Sequence, residues 1–82
     1  MEVYVVRLVD AVYLRIMDLI KERGITLYAL ASSSGVPYST MATMKLSSTV
    51  KLSTVYGICE GLEITLKEFF SSPLFEREKI TD

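Results

Sequence analysis

A chain of 82 residues that is 50% hydrophobic, with a mean hydropathy of +0.35, holds apolar mass for one modest core and for exposed surface that a partner would cover. Its net charge of −1 and pI near 5.4 count against the basic excess by which strong electrostatic DNA binders release counterions from phosphate. Without histidine and with one cysteine, Cys59, the chain has no means for histidine-based catalysis, a finger-type zinc site or an internal disulfide.

Arg7, Asp10, Arg15 and Asp18 interrupt the apolar first third, so no run approaches the roughly 18 residues of a membrane span, and no basic leader precedes it. The expectation is one cytoplasmic domain over residues 1–82, with residues 1–10 as an N-terminal extension. Val3 to Val6 is β-branched and aromatic and suits a short strand. Val5, Leu8, Val9 and Val12 also continue a helical stripe, and helix is the favoured reading. The first helix carries Val9, Val12, Ile16, Leu19 and Ile20 on one face and ends at Arg23, before Gly24.

Thr26 caps the second helix, Ile25 and Leu30 are spaced for a hydrophobic staple, and Gly35 ends the segment. The third helix is expected from Pro37 or Tyr38 to Leu46, followed by the polar connector Ser47, Ser48 and Thr49. The fourth places Leu52, Val55, Ile58, Cys59 and Leu62 on its core face. Gly57 inside it suggests close packing, because an interior glycine costs about 1 kcal/mol relative to alanine. Thr65 and Glu68 form a capping box for the fifth, with Ile64 and Phe69 as its staple. Phe69, Phe70, Leu74 and Phe75 add apolar mass, and the charged residues 76–82 are expected to fray.

From Ile25 to Met44 the chain reads helix, glycine turn, helix. Leu30 and Ala31 pack the first helix, Val36 plugs the corner, and Met41 and Met44 return the second to the core. Such a unit presents the outer face of its second helix, usually to the DNA major groove.

The segments RIMDLIKERGIT, LYALASSSGVPYSTM and VKLSTVYGICEGLEITLKEFF, in that order, resemble the Cro and phage-repressor (XRE) family, with Ala31, Gly35 and Met41 at its most constrained positions. The resemblance runs from about Val12 to Phe75. It implies an all-α, compact, five-helix lambda-repressor-like helix-turn-helix domain that binds operator DNA as a homodimer and needs no cofactor. By the same resemblance Tyr38, Ser39, Ala42, Thr43 and Leu46 face the groove, and Thr40, Lys45, Ser48 and Lys51 lie near phosphates. The chain departs from the pattern at Leu27, Ser34, Leu46, Ser47 and Lys51. In the family a glutamine, an apolar residue, an arginine, a glycine and a small polar cap are frequent at these positions.

Direct readout relies on arginine or lysine to guanine and on asparagine or glutamine to adenine. The chain has neither amide residue, and none of its arginines lies in the expected recognition helix. Hydroxyls of Ser39, Thr40 and Thr43 and methyls of Ala42 and Thr43 remain, the latter suited to thymine. The aromatic and aliphatic character of Tyr38, Ala42 and Leu46 suits a second reading, a protein-interaction module of adaptor, anti-repressor or antitoxin type. Val3, Val5, Val6 and Leu8 are the candidate dimer contacts, while the phenylalanines are expected to fold onto their own core. Ser48 to Lys51 spells S-x-x-K by coincidence, and Glu60, Glu63 and Glu68 make no carboxylate pair, so a non-enzyme is expected.

Overall fold

Local signals set several helix boundaries in this chain, and the helices fold onto one core. The computed structural model describes residues 5–82. Five α-helices follow one another: α1 (Leu8–Arg23), α2 (Leu27–Ser34), α3 (Tyr38–Ala42), α4 (Leu52–Leu62) and α5 (Leu66–Phe69). Short 3₁₀ turns occupy Met44–Leu46, Pro73–Phe75 and Arg77–Lys79. Among the described residues there is no strand, and no helix is long and apolar enough to cross a membrane.

Gly24 ends α1 at φ 66°, where an L side chain is strained, and the Gly24 and Ile25 amides donate to Lys21 and Ile20. Thr26 Oγ1 accepts from the Ala29 amide at 3.0 Å, and Gly35 closes α2 at φ 74°. The expected capping box of α5 is present in both directions between Thr65 and Glu68. Arg15 closes the other end of α5, donating to the carbonyls of Phe69 at 2.8 Å and Glu68 at 3.0 Å.

The expected stripe of α1 is buried: Val9, Val12, Ile16, Leu19 and Ile20 pack with Leu30, Ala31, Met41, Met44, Val55, Ile58, Cys59, Leu62 and Phe69. Each large apolar side chain removed from water in this way contributes about 1.5–3 kcal/mol. Phe70 and Phe75 meet at 4.9 Å between ring centroids and both lie against Phe69, so this aromatic group closes one end of the core. Cys59 is buried there, and burial pushes its thiol up from the ordinary range.

Several expectations are corrected. The helix does not extend back through Val5 and Val6, since α1 starts at Leu8 with Arg7 as its N-cap. Val6 instead forms an isolated parallel bridge with Ile80, its amide donating to the Lys79 carbonyl and its carbonyl accepting from the Thr81 amide, both at 2.9 Å. The end of the charged tail is thereby paired with the residues that lead into α1. β-Branched Val6 meets half-buried Ile80, and Asp82 Oδ1 accepts from the Leu8 amide at 2.7 Å. Val3 lies outside the described residues. Ile25 is 37% exposed while Leu30 is fully buried. Leu52, the first residue of α4, is 66% exposed and does not join the expected core face.

The third helix is also shorter than expected. Thr43 leaves helical geometry at φ −107° and ψ 7°, with its hydroxyl donating to the Ser39 carbonyl at 2.6 Å. The chain then tightens into the 3₁₀ turn, in which the Leu46 amide reaches Thr43 and the Ser47 amide reaches Met44.

Candidate nucleic-acid interface

The recognition segment is held from below by two methionines. Met41 and Met44 are 1% and 5% exposed, so α3 and the following turn are anchored through one face while the opposite face meets solvent. On that outer face lie Tyr38, Ser39, Thr40, Thr43 and Leu46, all exposed, with Ala42 half-buried beside them. Leu46 is 79% exposed, more than any other large apolar side chain described. Tyr38 is paired with Tyr28 of α2, at 5.7 Å between ring centroids, so the start of α3 and the start of α2 share one aromatic edge. Tyr28 was not among the residues singled out in the sequence.

Thr43 does not offer the hydroxyl donor that its position suggested. Its proton is committed to Ser39, which leaves oxygen lone pairs and a methyl group for any ligand. Lys45 is exposed, and its ammonium sits 5.4 Å from the centre of the Tyr13 ring on α1. Lys51 is exposed and is the N-cap of α4, and its side chain accepts nothing, so α4 begins without a side-chain cap. Ser48 is exposed and lines a shallow recess with Asp82, Thr49 and Leu8.

Between α3 and the start of α4 runs an open groove of about 650 Å³. Thr40, Thr43, Ser47, Thr49, Ser53 and Thr54 bring hydroxyl groups to it, and Lys51 is its one charged lining residue. Hydroxyls, a lysine and the first-turn amides of a helix are the donor types that bind phosphate oxygens.

The charge distribution matters more than the total. From Gly24 through Cys59 there is no aspartate and no glutamate, and the only charges are Lys45 and Lys51. That stretch carries +2 inside a chain of net charge −1, which leaves −3 for the remainder. It includes α2, α3, the connector and most of α4. The overall acidity is thus confined to other parts of the chain, and this acid-free run could have been found in the sequence itself.

Residues 15–73 match the Cro/C1-type HTH DNA-binding domain. The chain belongs to this family. The match begins within α1 and closes at the Pro73–Phe75 turn, so it contains the whole unit that positions the recognition segment. No curated protein and no solved structure shows a match to the chain.

Two of the departures from the family pattern find physical reasons in this framework. Leu27 is half-buried against the core and so serves packing at the position of the frequent glutamine. Ser34 packs closely against Gly61 of α4, and its hydroxyl donates to the Ala31 carbonyl and accepts from the Val36 amide at the turn.

Proposed function

We propose that this protein is a sequence-specific transcriptional regulator that binds operator DNA as a homodimer. The observation that carries the reading is the acid-free, hydroxyl-rich surface around α3 in a chain of the Cro/C1-type family. Tyr38, Ser39, Ala42 and Thr43 read the major groove, and Thr40, Lys45, Ser48 and Lys51 meet phosphates. Readout is dominated by apolar contact and by hydroxyls, because the segment has neither an amide nor an arginine. Selectivity then depends on two half-sites, DNA shape and thymine methyls. In this reading the domain works in the cytoplasm and acts by binding rather than by catalysis. Val5 and Leu8, 49% and 45% exposed, form the dimer contact together with Val3 and Val6.

Leu46, Leu52 and Tyr38, all substantially exposed, favour the second reading, in which this face docks another regulator. Selection of duplexes from a randomised pool at low salt separates the two. A palindromic motif with fixed half-site spacing supports the operator reading. No enrichment by folded protein transfers the face to a protein partner.

A further inference from the structure

Arg7 links two segments that lie 38 residues apart. Its Nε donates to Asp10 Oδ2 at 3.0 Å, and its Nη2 donates both to Asp10 Oδ1 at 3.1 Å and to the Lys45 carbonyl at 3.0 Å. Lys45 lies inside the 3₁₀ turn that follows the recognition helix, where the last carbonyls have no partner within the turn. One turn further along α1 from Asp10, the Tyr13 ring supports the Lys45 ammonium. The backbone that carries Arg7 is itself held by Val6 against Lys79 and Thr81, and by Leu8 against Asp82. Residues 79–82, α1 and the recognition turn are therefore one connected assembly.

We propose that Arg7 is a positioning residue for DNA reading: braced by Asp10, it holds the Lys45 carbonyl and so sets the path of Lys45, Leu46 and Ser47 as they leave the recognition helix. The inference rests on the DNA-binding reading above. A guanidinium suits this task because its rigid fork serves the carboxylate and the carbonyl together, which a lysine ammonium on a flexible stem does not do.

The test compares the wild-type protein with Arg7→Ala, Arg7→Lys and Asp10→Ala, on the duplex enriched by the wild type. Each variant is expected to bind about five- to tenfold more weakly, the scale of one lost hydrogen bond at an exposed site, with the salt dependence unchanged. Asp10→Ala is the decisive variant. Removing a negative charge near DNA would by charge alone tighten binding, whereas the loss of the brace weakens it. Tighter or unchanged binding by Asp10→Ala overturns the inference. So does an Arg7→Ala salt slope shallower by about one, because Arg7 would then be a phosphate contact itself.

A second readout needs no DNA. The Leu46 amide is bonded to the Lys45 carbonyl carbon, so its backbone resonance is expected to shift in all three variants while those of Ile58 and Leu62 stay in place. An unmoved Leu46 resonance overturns the inference. A wild-type protein that enriches no duplex overturns the DNA reading instead, and the amide shifts still decide whether Arg7 sets the turn.

Discussion

Ser34 and Gly61 touch with no room for another carbon between them. A Cβ on Gly61 would lie 2.8 Å from Ser34 Cβ, 2.9 Å from Ser34 Cα and 3.0 Å from Ser34 N. Two of those three atoms are backbone, so the neighbour cannot rotate away. The contact joins the end of α2 to α4 directly beside Gly35, and it sets the distance from which α3 departs.

Gly61→Ala is therefore expected to destabilise the fold, since overpacking costs about 1–3 kcal/mol and outweighs the helix-propensity gain of up to about 1 kcal/mol. Gly57, which the sequence marked for close packing, is the milder site. A Cβ there would meet Ser34 O and Val36 Cγ2 at 3.4 Å. Gly57→Ala is expected to be neutral or slightly stabilising. Thermal melts of the two variants check the contrast, and equal losses would contradict it.

Glu63 ends α4 in the left-handed region at φ 57°, the one non-glycine residue described there. Its amide donates to the Glu60 carbonyl at 3.2 Å and the Ile64 amide donates to Cys59 at 3.0 Å, a turn that glycine makes without strain. Glu63→Gly is expected to raise stability by about 1 kcal/mol, which corresponds to a melting point higher by about 4–8 °C. Calorimetry measures this directly, and a lower melting point would show that the glutamate side chain has a role at the helix end.

Thr43 separates hydroxyl from methyl readout. Its proton already serves Ser39, so Thr43→Val is expected to keep any thymine preference at its contact position. Thr43→Ser, which loses the methyl, is expected to reduce that preference about fourfold, the scale of one lost methyl contact. Competition binding with thymine-to-uracil duplexes reads the difference. The opposite ranking of the two variants would return the role to the hydroxyl.

Salt dependence reports how few charges the interface uses. With Lys45 and Lys51 as the only cations between Gly24 and Cys59, the slope of log K against log salt is expected near about −1.8 per protomer. Lys51→Ala is expected to lower it by about 0.9. A slope several times steeper would place arginines from outside this stretch at the phosphates.

The pH dependence of the Arg7–Asp10 pair has a definite sign. The hydrogen bond from Arg7 holds the Asp10 carboxyl below its ordinary value of 3.8. A lowered carboxyl contributes stability that is present above the ordinary value and is lost as pH falls through the lowered one. The Leu46 amide is accordingly expected to be insensitive to pH from neutrality down to about 4 and to shift only in stronger acid. A shift centred at or above the ordinary aspartate value would show that the pair is absent in solution.

Features that depend on near neighbours are legible in the order of residues. Thr26, Gly24, Gly35 and the Thr65–Glu68 box are decided within one helical turn, so their spacing was enough to place four boundaries. The buried stripe of α1 and the anchoring of Met41 and Met44 follow from helical periodicity in the same way. The acid-free run around the recognition helix was also present in the sequence, although only its position in the fold gives it meaning. Most of the rest depends on contacts between distant segments. Local periodicity continued the third helix to Leu46 and the first helix back through Val6. Residues 79–81 turn the first helix's expected start into an extended bridge, whereas the third helix stops at Thr43, whose hydroxyl bonds back four residues to Ser39, a local contact that apolar periodicity does not register. Arg7 with Lys45, and Ser34 with Gly61, meet across long sequence separations, where no local preference acts and only the packing of whole helices brings the partners together.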